Sequence, residues 1–288
     1  MKKFLVISLM IALVTGLIFS GCAQAPAPAP KPAPAPAPAP APKPSPAPQE
    51  KFNLSFTTYW PEPSTQWKGS YKPVLDEIQQ KSNGRITFTT YLGGALGGGD
   101  EIYDIVRTGK ADMGATGHAY TPGRFPLIDV FTLPGAFESS KAAAEASLAV
   151  FDRILNREYP DTHCLAIQQT QTFYLYTAKK PLRVLEDMKG LKVRSVGGVG
   201  TQSLEALGAK GIQMPLGDVY LSLQTGVVDG SVTGPTALPG FKLDEVLRHV
   251  LKFPISHGSN MIVMNRNTWS KIPDDLKKIA EEAARKFA

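Results

Sequence analysis

Cysteine and histidine are scarce in this 288-residue chain, which has two of the first and four of the second. His118, His163, His249 and His257 are scattered, and no Cys/His pair has metal-ligand spacing. Neither a G-x-S-x-G elbow nor an H-E-x-x-H helix is present. No nucleophile with a positioned base can be assembled, so no catalytic residue, cofactor or metal ligand is assigned. Acidic residues are missing from positions 1–49, where Lys2, Lys3, Lys31 and Lys43 are the only charges. Those four lysines account for most of the formal net charge of +6. The rest of the chain is nearly balanced, and without clustered Lys and Arg a nucleic-acid partner is excluded.

What is there begins with an export signal. Lys2 and Lys3 precede an apolar run from Phe4 to Ser20, and Ser20-Gly21-Cys22 follows. A basic start, an apolar segment and small residues make a signal peptide. A run of this length could also just span a bilayer as a retained anchor. The position of Cys22 favours cleavage, because "IFSGC" resembles a bacterial lipobox, with Phe19 where Leu is usual. Residues 1–21 are then a lipoprotein signal peptide, and Cys22 is the lipidated first residue of the mature protein. Cys164, in the apolar stretch "CLAI", is left as a buried structural thiol. Residues 22–50 form a tether: twelve of the 25 prolines alternate mostly with alanine over 23–49. Proline fixes φ and removes the amide donor, so the segment reads as an extended spacer of up to ~80 Å at ~3.1 Å per residue.

From Lys51 onward the pattern is that of a globular α/β protein. "FNLSFTTY" alternates as a half-buried strand, and "YKPVLDEIQQKSNG" places Val74, Leu75 and Ile78 on one helical face. "RITFTTYL" is a second strand, a helix capped by Asp100 and closed by Gly109 follows, and "ADMGATG" is a third strand. The rhythm returns later, with strands at "TFYLYTA", "LKVRSV", "GIQMP" and "VVDGSVT" and helices at "TQSLEALGA" and "DVYLSLQTG". A strand pair is expected at 250–254 and 260–265. Two α/β units in one exported chain suggest two lobes, with any ligand at the strand ends between them.

Two glycine clusters imitate nucleotide sites. "YLGGALGGGDE" lacks the Lys-Ser/Thr of a P-loop, and Asp100 and Glu101 put negative charge where a phosphate would sit. "SVGGVGTQS" has Ser203 where a dinucleotide fingerprint has its third glycine. Both read better as turns into helices. Arg194 stands out instead. It ends an alternating strand beside a glycine loop, where a guanidinium facing a cleft can clamp a carboxylate with two parallel hydrogen bonds. Its plain alternative is an exposed charge. Tyr59, Trp60, Tyr120, Phe173 and Tyr174 cluster at strand ends and loops. Core packing is the plain account of each, Phe173 above all, while Trp60, just past a strand end, serves equally as a cleft wall. His118, on a loop after a strand, is the one histidine placed to act.

Several segments in one order resemble the solute-binding proteins of tripartite ATP-independent periplasmic (TRAP) transporters, the DctP-type family. They are "YLGGALGGGDEIYDIVRTGKADMG", "FPLIDVFTLPGAF" and "MKGLKVRSVGG" followed by "LGAKGIQMPLGDVYLSLQTGVVDG". The resemblance covers about residues 52–288. It implies an α/β, two-lobe periplasmic-binding-protein-like fold with central mixed sheets, crossing hinge strands and a long scaffold helix. Lobe 1 is expected over 51–172 plus 258–288 and lobe 2 over 173–257. The implied function is capture of a small organic carboxylate and its delivery to TRAP permease membrane subunits, without catalysis. The family's clamping arginine falls on Arg194, and a pocket position falls on Leu216. Trp60, Tyr120, Phe173, Tyr174 and Leu216 are expected to shape the remaining apolar space, with a hydroxyl contact from Thr233. Many members carry Phe and Glu where this chain has Leu216 and Asp218, and Gln-Glu-Asn-Pro where it reads "SVTGP". These departures point to an apolar or aromatic monocarboxylate rather than a sugar acid. The expected location is extracytoplasmic, periplasm or outer membrane face, held by the lipid. A binding protein of another importer class and an exported α/β hydrolase are the rival readings. The closing helix "LKKIAEEAARKFA" lacks a glycine cap, and an incomplete C-terminus is expected.

Overall fold

A computed structural model of the chain describes residues 50–286. The signal peptide, Cys22 and nearly all of the tether lie outside them. Two parallel three-stranded units flank a pair of long antiparallel strands, in one sheet ordered β2-β1-β3-β8-β4-β7-β5-β6.

In the first unit β1 (Phe52–Thr58) pairs in parallel with both β2 (Ile86–Tyr91) and β3 (Met113–Gly117). The helices α1 (Lys72–Lys81) and α2 (Ile102–Arg107) make the crossovers. Val74, Leu75 and Ile78 are buried on α1, as their spacing predicts. Pro73 sits in its first turn, where its fixed φ suits a helix. A π-helical turn, Trp67–Tyr71, leads into α1 and presses both aromatic rings against Phe56, with centroids 6.0 and 6.2 Å away. Two short helices, α3 (Pro126–Asp129) and α4 (Ser140–Val150), follow β3. Ser139 caps α4 by accepting the Ala142 N–H.

The second unit repeats the plan. β5 (Lys192–Ser195) pairs in parallel with β6 (Lys210–Gln213) and β7 (Gly230–Thr233). Here α5 (Gly198–Ala206) and α6 (Val219–Gln224) make the crossovers. One apolar cluster runs from Leu54, Phe56 and Ile78 of the first unit to Val219, Leu223 and Val228 beside the second, and Leu175, Val193 and Leu204 form a separate core in the second. Three further helices complete the described residues: α7 (Ala237–Gly240), α8 (Arg266–Lys271) and α9 (Asp274–Lys286). α9 buries Leu276, Ala280, Ala283 and Ala284 and packs on α1 and β4. Its alanines allow the close approach.

The long strands join the units. β4 runs from Thr162 to Thr177 and β8 from His249 to Asn265. β8 takes β3 along Asn260–Met264, and β4 takes β7 along Tyr174–Thr177. Each therefore belongs to one lobe at one end and to the other lobe at the other end. The strand expected at "TFYLYTA" is only the second half of β4. The pair expected at 250–254 and 260–265 is one continuous β8. The polar stretches "QQTQT" and "SHGSN" hide both, since they read as loops. They are strand nonetheless, and the ladder slips between Gln169 and Thr172 and between Phe173 and Leu175. Pro254 falls in the second slip, where no ladder hydrogen bond is lost to its missing N–H. The expected Asp100 cap is also corrected. α2 begins after Glu101, whose carboxylate instead accepts the Gly98 N–H at 2.9 Å.

At the slip, the Phe173 ring lies against the backbone of Gly258. A β-carbon there would meet the ring at 2.6 Å and collide with the Thr170 hydroxyl. The Gly258→Ala variant is expected to lose about 1–3 kcal/mol of stability by overpacking. Urea unfolding at equilibrium checks this; an unchanged midpoint would show that the crossing can relax.

Candidate functional site

Arg194 is fully buried at the carboxyl end of β5. Its Nε donates to the Met214 carbonyl at 3.0 Å, Nη1 to the Val232 carbonyl at 3.3 Å and Nη2 to the Tyr120 hydroxyl at 3.2 Å. A guanidinium has five N–H donors. Two remain, one on each terminal nitrogen, without an acceptor among the described residues. Nor does any carboxylate among them come within 4 Å of it. The plain alternative, an exposed charge, is excluded by the burial.

Tyr120 comes from the other lobe, on a 3-10 turn after β3. Its hydroxyl also accepts the Leu216 N–H at 3.2 Å, so one oxygen ties two segments of lobe 2 to lobe 1. Burial raises the Tyr120 pKa, against the lowering influence of Arg194, and the phenol stays neutral at physiological pH. Glycine makes room for this residue: a β-carbon on Gly99 would lie 2.6 Å from the Tyr120 ring. The "GGG" run thus seats an aromatic side chain, beyond the turn read from sequence.

Around Arg194 lies a narrow cavity of about 30 Å³. It brings together Trp60, Tyr120, Phe173, Arg194, Leu216 and Thr233, six of the seven residues singled out from sequence. Tyr174, the seventh, does not line it and packs at the edge of the large core. Tyr59, Gln66, Gln171 and Asn260 line it as well. Tyr59 is visible among the clustered aromatics, Gln171 and Asn260 lie in the polar middle of the crossing strands, and Gln66, just before the π-helical turn, carries no distinguishing signal. Trp60 closes the mouth side, tilted on Tyr59 (5.3 Å) and edge-on to Phe241 of lobe 2 (5.4 Å). Its indole N–H is buried with no acceptor in hydrogen-bonding geometry. A wider opening, shared between Gly93–Glu101 and Pro215–Lys242, lies outside.

His118 does not reach this cavity. Nε2 lies 2.5 Å from the Tyr159 hydroxyl and Nδ1 3.0 Å from the Ser259 hydroxyl, so it fastens the Tyr120 turn to β8. Cys164 is buried, and burial pushes its thiol pKa up to about 12, so it remains an inert thiol. Among the described residues no cluster of three His, Cys, Asp or Glu could hold a metal ion, and no helix is long and apolar enough to cross a membrane.

Two lobes joined by crossing strands, with a buried arginine facing a cavity between them, describe a solute-binding architecture. The family model of the bacterial extracellular solute-binding proteins, family 7, matches residues 56–288. The chain belongs to this family. Members bind solutes rather than transform them. A marine metagenome TRAP solute-binding protein, specific for aromatic acids and crystallised with 3-hydroxybenzoate, superposes with a TM-score of 0.77 at 29% identity. That match covers 82% of this chain and 75% of the other. A TRAP solute-binding protein of Rhodoferax ferrireducens, with copurified benzoate, gives 0.75 at 28% identity over 82% and 79%. An uncharacterised protein of Salmonella typhimurium is 26% identical over 217 residues, 72% of this chain and 64% of its own length. The chain thus spans slightly under two thirds of that curated relative.

Burial holds the His118 pKa near 4, below the ordinary 6.5. Its contribution to stability is complete above pH 6.5. It is lost as pH falls toward 4, because the unfolded chain takes up a proton that the fold refuses. Over that window stability is expected to drop by up to ~1.4 kcal/mol per pH unit from this group. His118→Gln is expected to flatten the pH dependence of the urea midpoint between pH 7 and 5 by about one proton. An unaltered slope would assign the effect elsewhere.

Proposed function

We propose that the chain is an extracytoplasmic receptor that closes around one small monocarboxylate and delivers it to a TRAP-type permease. The observation that carries this reading is the Arg194 guanidinium, buried with two unused N–H donors and no counter-ion among the described residues. An isolated buried charge is costly, and a carboxylate with two oxygens supplies both the charge and the two acceptors. The carbonyls of Met214 and Val232 hold the fork in place before the ligand arrives, so little is lost in orienting it.

The rest of the cavity limits which group the carboxylate can carry. Arg194 is its only cationic lining residue, so a second carboxylate would go uncompensated. Tyr59, Trp60, Tyr120 and Phe173 supply ring surfaces and Leu216 an aliphatic one. An aromatic monocarboxylate suits this lining better than a polyhydroxylated sugar acid. The proteins seen with 3-hydroxybenzoate and benzoate share the fold and bind that class of ligand. Thr233 and Gln171 add polar atoms at the periphery. Lobe boundaries at 172/173 and 257/258 accord with the ladder slips in β4 and β8, which make these strands the natural hinge. Anchoring through a lipid on Cys22, with the proline-rich segment as spacer, is proposed from the sequence alone.

A thermal-shift panel of small carboxylates tests the reading. Ligand at about 100 times its dissociation constant stabilises the fold by about 2.7 kcal/mol. Benzoate-type acids are expected to raise the melting temperature, while succinate and sugar acids are not. In calorimetry Arg194→Ala is expected to weaken binding roughly 30- to several-thousand-fold, the ~2–5 kcal/mol of a truncated buried charge pair. A loss under threefold would remove Arg194 from the role.

A further inference from the structure

A second small cavity, of about 30 Å³, lies on the hinge side of the first. The two share a wall of Tyr59, Tyr120, Phe173, Val196 and Asn260. Beyond that wall the second is lined by Thr132, Val199, Gly200, Ser256, His257 and Ser259. No Asp, Glu, Lys or Arg faces it. Two of its hydroxyls are already engaged: Ser259 with His118 and Thr132 with the Asp129 carbonyl. Ser256 and His257 are not. They are 3% and 7% exposed, and among the described residues neither the Ser256 hydroxyl nor the His257 Nε2 has a hydrogen-bond partner. The His257 Nδ1 has only distant hydroxyls, Ser140 and Thr172, both at 3.4 Å. The first turn of α5, which has no side-chain cap, begins at the same cavity through Val199 and Gly200. Helix-start amides there lack intrahelical acceptors. Polar groups that reach a cavity without a protein partner can take one from a molecule within it. Burial also lowers the His257 pKa, so the imidazole is neutral at pH 7, able to donate or accept but not to balance a charge.

We propose that the binding site is bipartite. The Arg194 cavity takes the carboxylate and the adjoining ring face. The second cavity takes an uncharged hydrogen-bonding substituent, a hydroxyl above all, carried at the far end of the same ligand past Phe173. A hydroxyl both donates and accepts, which matches the mixed set of Ser256, His257 and the α5 amides. The Phe173 ring, fixed against Gly258, is the surface the ligand passes. The preferred ligand is then an elongated hydroxyaryl monocarboxylate, and benzoate fills only half of the site. This rests on the carboxylate reading above.

The test is calorimetry on the full chain with benzoate, 3-phenylpropanoate and 3-(4-hydroxyphenyl)propanoate. The hydroxylated acid is expected to bind about three- to tenfold tighter than its deoxy partner, the worth of one buried hydrogen bond. Val199→Phe, which fills the second cavity, is expected to bring that ratio to one. Ser256→Ala, a smaller change that leaves the space open, is expected to reduce it. Equal binding of the two propanoates by the parent chain, or a ratio that survives both substitutions, overturns the inference while benzoate binding leaves the carboxylate reading standing. Failure of all three acids to bind removes both.

Discussion

A positive charge buried between two lobes governs this structure. The Arg194 guanidinium has left water, and two backbone carbonyls and a phenol partly replace its hydration. Those groups come from β7, from the segment after β6, and from the opposite lobe. The charge therefore orders its own surroundings: Met214 and Val232 fix its orientation, and Tyr120 brings the first lobe over it. Such a site is incomplete by construction, because neutral acceptors do not balance a buried cation. In the proposed receptor an anion supplies the missing charge and draws the two lobes together, the change in shape that accompanies capture.

The crossing strands make that change possible. Elsewhere the strands are short and their ladders regular. β4 and β8 are long, and their ladder slips twice near Phe173 and His257. Residues 168–172 and 256–260, beside the slips, are polar or small. The same slips turn Phe173, Ser256 and His257 into cavity lining. In the proposed receptor hinge and ligand site are built from one stretch of chain, so ligand contacts act directly on the segment that bends.

The parallel units were legible because each hides one face of its helices and strands, and the spacing of Val74, Leu75 and Ile78 or of Leu54 and Phe56 records it. The crossing strands were not. Their middle faces a cavity and meets irregular pairing, so no apolar alternation marks it, and Pro254 and Gly258 interrupt the pattern. Asp100 misled for a related reason: a cap-type residue stood at the helix start, but Glu101 reached back to Gly98 instead. Arg194 was visible as a charged strand end beside glycines. Trp60, Tyr120, Phe173, Leu216 and Thr233 join it around the cavity, while Tyr174, one residue past Phe173, packs away from it.

The sequence by itself determined two α/β units and one arginine at the carboxyl end of a strand. These arise from local periodicity and composition, which a single segment carries. Tertiary structure alone decided that the arginine is fully buried, that Tyr120 reaches it from 74 residues away, and that Gln171, Asn260, Ser256 and His257 face the cavities. Those relations depend on how the long strands cross and where their pairing slips. That is a property of packed lobes, and no single segment records it.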